Sequence, residues 1–127
     1  MIGTGGNAGS QTVATIIRAI AVGEVRLSDV GRAWSREFLV AVILGLVLGI
    51  AGYIRAILFN SGPGVALVLA LTLPLVVVTS ISVATLVPLI AERVHIDPAV
   101  VSTPMITTIV DASGIFIYFS LAALILT

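Results

Sequence analysis

Asp111 is the only charged side chain in residues 98–127 of this sequence. Polar, small and aromatic residues accompany it at intervals of four, four, three and four: Thr103, Thr107, Asp111, Gly114 and Tyr118. Side chains at such intervals lie on one face of a helix. A carboxylate among apolar residues of a membrane helix is typical of a path for ions or protons.

A second polar face is predicted near the start of the chain. Its members recur in steps of four and three: Gly3, Asn7, Gln11, Thr15 and Arg18. Facing lipid, the amide and hydroxyl groups would lose their hydrogen bonds to water, and a charged Asp would cost about 2.5 to 3.5 kcal/mol on the mildest scale. We therefore expect the two polar faces to meet each other or water.

A purely structural interpretation of the same residues stays open at this point. Hydroxyl groups in membrane helices often form hydrogen bonds between helices. Asp111 would then pair with Arg18, or be protonated and hydrogen-bonded to a neighbour.

The composition is that of a membrane protein. The chain has 127 residues, of which 59% are hydrophobic and 9% charged, against about 25% charged in soluble domains. Six basic and six acidic residues give no net charge, so we expect no nucleic-acid partner. The stretch "GTGGNAGSQ" lacks the lysine and the preceding strand of a phosphate-binding loop. We also expect no enzymatic activity.

Clusters of charge separate four apolar spans. The chain is therefore predicted to be an all-α integral membrane protein, a single transmembrane domain over 1–127 with helices at about 3–22, 38–54, 65–91 and 98–126. Helices are required because an open sheet would leave backbone groups unpaired in lipid. We also expect a short interfacial helix over 28–34, and a kink or break in the third helix at Pro74 and Pro88.

The arginines predict the orientation. The loops 23–37 and 92–97 share one side of a four-helix arrangement, and that side holds Arg18, Arg26, Arg32, Arg36 and Arg93. The other side has Arg55 alone. Because basic residues favour the cytoplasmic side, we expect both loops to be cytoplasmic in an inner (plasma) membrane protein.

Several motifs resemble a known family. In order, "GTGGNAGSQ", "IIRA", "DPA" and "TPMITTIVDASGIFIYF" resemble the membrane domain of the MgtE family of magnesium channels, over essentially the whole chain. The resemblance implies a homodimer in the bilayer with five membrane helices per subunit. It also implies an ion path on the dimer axis, lined by the helix of the glycine-rich block and the last helix.

The resemblance assigns roles to particular residues. Asp111 matches the pore carboxylate, Asn7 the amide of the glycine-rich block, and Thr107 a position whose backbone carbonyl faces the ion. The remaining residues expected to line the pore are Gly3, Gln11, Thr15, Thr103, Gly114 and Tyr118. The implied cargo is Mg²⁺, held in hydrated form by the carboxylates at the dimer axis.

The sequence also departs from the family pattern. The family's N-terminal cytoplasmic domain, its regulatory CBS pair and its first membrane helix have no counterpart in these residues, so gating is not predicted. Two other functions remain as alternatives. One is a proton-coupled carrier of divalent cations with Asp111 as the proton site, and the other is a non-conducting membrane subunit whose polar faces only pack helices.

Overall fold

Four α-helices make up most of the chain in a computed structural model that describes residues 2–101 and 103–127. They are α1 (Ile2–Ala21), α2 (Val30–Leu58), α3 (Pro63–Arg93) and α4 (Thr103–Leu126). The described residues contain no strand. The predicted all-α class with four helices is confirmed.

Helix α3 is the centre of the bundle, and each of the other three helices packs against it. One buried cluster joins α1, α3 and α4 through Val13, Ala84 and Ile106. A second cluster joins α2 to α3 through Ala41 and Val77. Burial of apolar residues on α3 from three directions therefore fixes the positions of the outer helices.

Three of the helices, α2, α3 and α4, are long and apolar enough to cross a membrane by length and composition. Their outer faces expose large hydrophobic residues, as a surface in contact with lipid would. Helix α1 has 20 residues but is less apolar, and it is not among the three. A fourth crossing by α1 stays a prediction.

Helix α2 extends beyond the apolar span 38–54 at both ends. The residues predicted as a separate interfacial helix over 28–34 form a 3₁₀ turn, Leu27–Asp29, followed without a gap by the first turns of α2. Arg and Glu are good helix formers, so the backbone hydrogen bonds continue where the apolar side chains stop. The Trp34 Nε1–H donates a hydrogen bond of 3.2 Å to Ser82 Oγ and ties this extension to α3.

Helix α3 is continuous through Pro74 and Pro88, so of the expected kink or break the break is absent, and a kink stays a prediction. Pro74 removes the amide that would bond the Ala70 carbonyl. The backbone of α2 lies directly against that carbonyl, because a Cβ placed on Gly49 would be only 2.7 Å from Ala70 O. Close packing of small residues on α2 thus accommodates the proline inside the bundle.

Helix α4 begins later than its predicted start at residue 98. Pro98–Val100 forms a separate 3₁₀ turn, in which Asp97 Oδ1 accepts a hydrogen bond of 2.9 Å from the amide of Ala99. Asp97 therefore caps this turn rather than α4. Pro104 has no amide to donate, which favours a helix that starts next to it rather than one that runs through it.

Candidate functional site

Helices α1 and α4 run antiparallel and meet at the glycine-rich block. A Cβ placed on Gly6 would lie 3.3 Å from Asp111 Oδ1 and 3.6 Å from Thr107 Cγ2. One turn further along α1, a Cβ on Gly9 would lie 3.4 Å from Ile106 Cγ2. The backbone of α1 therefore passes directly beside the Asp111 carboxylate, at a point where only a glycine leaves that much room.

The Asp111 side chain is half-buried. Its Oδ1 atom is inaccessible to solvent and has no hydrogen-bond partner among the described residues. A buried carboxylate oxygen without a donor is costly, and in native proteins such atoms are usually satisfied by water, an ion or a proton. The carboxylate thus lacks a hydrogen-bond donor among the residues that the structure describes.

The neighbours of Asp111 differ in what they can offer. Thr107 lies one turn away on α4, and its Oγ1 donates a hydrogen bond of 2.9 Å to the Pro104 carbonyl, so this hydroxyl is engaged within its own helix. Asn7 follows Gly6 on α1 and is exposed. The structure therefore brings Asp111 and Thr107 together against Gly6, with the Asn7 amide on the open side of α1.

Most residues of the two predicted polar faces lie at the surface of the single chain. On α1 the exposed members are Gly3, Asn7, Gln11, Thr15 and Arg18. On α4, Thr103 is exposed and Tyr118 is half-buried. Gly114 is different, because it is buried and a Cβ there would lie 3.6 Å from the Val76 side chain of α3. Its position fits close packing of α4 on α3.

Arg18 is not positioned to pair with Asp111. The part of α1 beside the carboxylate is Gly6, and Arg18 is twelve residues further along the same helix. Twelve residues of α-helix span about 18 Å. An ion pair between Arg18 and Asp111 of the same chain is therefore absent.

The sequence indicates that Gly5, Gly6 and Gly9 let helix backbones approach closely, but it does not give their partners. Ser80 of α3 also positions the site, and it was not singled out from the sequence. Ser80 is fully buried, its Oγ donates a hydrogen bond to the Gly5 carbonyl, and a Cβ on Gly9 would lie 2.6 Å from the same Oγ. The Ser80 hydroxyl thus holds α1 against α3 next to the turn that contains Gly6. The spacing of four between Gly5 and Gly9 was the available signal for this close approach.

Comparison with known proteins places the chain in a family. Residues 1–121 match MgtE, described as a divalent cation transporter. The chain belongs to the MgtE family. The resemblance drawn from the glycine-rich block and the last helix is thereby confirmed.

Three magnesium transporters named MgtE are among its relatives. The protein of Thermus thermophilus is 35% identical over 126 residues, which cover 99% of this chain and 28% of the relative. The Bacillus subtilis protein is 31% identical over 120 residues, covering 94% and 27% respectively. The Enterococcus faecalis protein is 30% identical over 122 residues, covering 96% and 27%. The chain thus spans little more than a quarter of the length of these MgtE proteins.

Proposed function

We propose that this chain is the ion-conducting part of a homodimeric magnesium channel, in which Asp111 of each subunit holds a hydrated Mg²⁺ at the twofold axis. The observation that carries the proposal is the buried Asp111 Oδ1, which no donor of the described residues satisfies. Membership of a divalent cation transporter family supports the class of cargo. The relatives named as magnesium transporters support the choice of ion.

A second copy of the chain is needed to complete the proposed site. The described residues contain no group of three or more His, Cys, Asp or Glu side chains that could hold a metal ion. Two Asp111 carboxylates across an axis supply two negative charges for one divalent cation. A monovalent ion would leave one of these charges uncompensated, so charge balance favours a divalent ion.

The hydration of Mg²⁺ suits a site with so few charged ligands. Magnesium loses its water reluctantly and requires octahedral geometry, so a pore can hold the hydrated ion through its water ligands. The Asn7 amide and the Thr107 carbonyl are proposed to contact those waters beside Asp111. The proposed pore continues along exposed or half-buried positions: Gly3, Gln11, Thr15, Thr103 and Tyr118. For Gly114, the contact with Val76 favours a role in packing.

Movement of Mg²⁺ through such a path needs no chemical fuel. With the loops 23–37 and 92–97 on the cytoplasmic side of an inner membrane, the electrical potential draws cations inward. It contributes about 2.3 kcal/mol per charge for each 100 mV, or roughly 4.6 kcal/mol for a divalent ion. A passive channel is therefore sufficient for uptake.

The two alternatives make different demands on Asp111. A packing subunit needs Asp111 to form a hydrogen bond between helices, and the unpaired Oδ1 counts against this. A proton-coupled carrier needs Asp111 to bind and release a proton during each cycle. Mg²⁺ flux into liposomes with and without a proton gradient separates the three functions: a channel responds to the magnesium gradient and the voltage, a carrier also to the proton gradient, and a packing subunit to neither.

Replacement of Asp111 by asparagine tests the proposal directly. Asp111→Asn keeps the size of the side chain and removes both pore charges of a dimer. The attraction between two unit charges about 4 Å apart is roughly 4 kcal/mol near a protein surface. Because a loss of 1.4 kcal/mol weakens binding about tenfold, we expect magnesium flux to fall by at least about tenfold. The control is Glu24→Gln, which neutralises an exposed acid in the loop after α1 and should leave the flux unchanged.

The outcome separates conduction from packing. Asparagine can replace a protonated carboxyl group in a hydrogen bond almost without loss. A folded Asp111→Asn dimer with normal magnesium uptake would therefore contradict the role of Asp111 in ion conduction. Asp111→Glu moves the charge by about one methylene, and we expect it to retain part of the conduction with altered selectivity.

A further inference from the structure

A cleft opens between α2 and α3, near the connection 59–62. Its volume is about 380 Å³, and its apolar walls include Leu48, Leu69 and Leu73. This size is at the lower end of the range of small-molecule pockets, roughly 300 to 1,000 Å³. We call it the Arg55 cleft, because Arg55 of α2 also lines it.

Small residues on α2 create the space. Ala51 and Gly52 both line the cleft. A Cβ placed on Gly52 would lie 2.5 Å from Leu73 Cδ1, so any larger residue at this position would push the Leu73 side chain aside. A side chain at position 52 would therefore change the shape of the cleft wall.

No acidic residue of α2 or α3 lies near Arg55. The sequence contains no Asp or Glu between Glu37 and Glu92. Glu37 is eighteen residues before Arg55 on the same helix, about 27 Å away, and Glu92 is at the opposite end of α3. The guanidinium carbon lies 5.6 Å from the centre of the Phe59 ring, one turn further on, which holds the charge near the mouth of the cleft.

We propose that the Arg55 cleft binds an anionic phospholipid, with an acyl chain against the leucine walls and the phosphate on Arg55. The planar guanidinium presents paired donors that match the oxygens of a phosphate group. Thr4 of α1 lines the same cleft and offers a hydroxyl group to the headgroup or the ester region. A net-negative headgroup compensates the arginine, whereas a zwitterionic headgroup brings its own cation.

The proposal does not depend on ion conduction, and its test measures lipid binding alone. Full-length protein is purified from membranes, and native mass spectrometry compares phosphatidylglycerol with phosphatidylcholine of the same acyl chains. Wild type should bind phosphatidylglycerol more tightly. Arg55→Gln should weaken that binding by about fivefold, the effect of one basic residue near an anionic surface, and leave phosphatidylcholine unchanged.

Two further variants locate the binding. Arg36→Gln removes an exposed arginine from the other end of the same helix, and it should leave phosphatidylglycerol binding unchanged. Ala51→Phe fills the cleft and should weaken the binding of both lipids, and Ala51→Leu provides a smaller change if the first variant does not fold.

Each contrary result overturns the proposal. Equal losses in Arg55→Gln and Arg36→Gln would indicate general attraction to basic residues. If neither Arg55→Gln nor the changes at Ala51 alter phosphatidylglycerol binding, a further segment of the protein or a second copy covers the cleft.

Discussion

At the level of single residues, the candidate site depends on a contact between a carboxylate and a glycine. Asp111 is half-buried, and its Oδ1 faces the backbone of α1 at Gly6 without a donor among the described residues. Any side chain at position 6 would press on this oxygen and displace the carboxylate. The proposed ion site therefore requires Gly6 as well as Asp111.

Gly6→Ala tests this dependence. The added methyl group would lie 3.3 Å from Asp111 Oδ1, so the carboxylate must move by a few tenths of an ångström or lose contact with the ion. We expect magnesium flux to fall by about tenfold, equivalent to about 1.4 kcal/mol, while the yield of folded protein persists. Gly31→Ala is the matched control, since nothing lies within 4 Å of a Cβ there. Equal flux in the two variants would contradict a role for Gly6 in the site.

The sequence singled out residues on both sides of this contact but did not predict that Gly6 lies beside Asp111. Intervals of three and four placed Asp111 and Thr107 on one face of α4, because side-chain direction follows helix geometry. Gly6 has no side chain to reveal its direction, so its place beside the carboxylate depends on how α1 docks. That docking is fixed by Ser80 on a third helix, through its hydrogen bond to the Gly5 carbonyl. Such a contact between helices distant in sequence leaves no periodic pattern.

At the level of elements, α2 packs on α3 through small residues opposite a proline. A Cβ on Gly45 would lie 2.8 Å from the Cα of Pro74, and one on Gly49 would lie 2.7 Å from Ala70 O. Both neighbours are backbone atoms, which cannot move aside as a flexible side chain can. The two glycines therefore set the distance between α2 and α3.

Gly45→Ala should consequently destabilise the bundle. Overpacking of a close contact costs about 1 to 3 kcal/mol, which should exceed the gain in helix propensity of about 1 kcal/mol. The measurement is unfolding in detergent, with Gly31→Ala as a control that gains propensity without a clash. A Gly45→Ala variant as stable as the control would show that α2 moves outward at little cost.

The same contacts explain why the helix limits were only partly predictable. Apolar runs between charge clusters predicted four helices, because each helix in lipid must satisfy its own backbone. Hydropathy marks where lipid ends, but α2 continues to Val30 through charged residues that favour the helix. Likewise Pro74 weakens α3 locally, and packing against α2 keeps the helix continuous. Neither effect can be obtained from the residues of one helix alone.

At the level of the whole molecule, charge is distributed unevenly between the two ends of the bundle. Five arginines lie toward one end, and Arg55 is the only basic residue toward the other. The excess of basic residues predicts that the loops 23–37 and 92–97 face the cytoplasm.

The absence of cysteine in the sequence makes this orientation straightforward to test. A single cysteine in Arg32→Cys should be protected from a membrane-impermeant thiol reagent added outside intact cells. Ser61→Cys, in the connection between α2 and α3, should react. The reverse pattern would show that the five-arginine side faces outward.

The polar face of α1 carries the argument for a dimer. Asn7, Gln11 and Thr15 are exposed in the single chain, although the surrounding helices are apolar enough to lie in a bilayer. Amide side chains facing hydrocarbon lose their hydrogen bonds to water without replacement. A second copy placed around a shared water-filled path removes this cost, and it also brings a second Asp111 to the ion.

Cysteine crosslinking tests that arrangement. Gln11→Cys on the polar face of α1 should form covalent dimers with a short bifunctional thiol reagent, because this face is expected to line the axis. Leu46→Cys is the control. Leu46 follows Gly45 on α2, its side chain is 55% exposed, and we expect it to face lipid. Crosslinking through Leu46 but not Gln11 would place the subunit contact on α2. In that case the two Asp111 carboxylates could not bind the same ion. A monomer that conducts magnesium would also contradict a shared ion site.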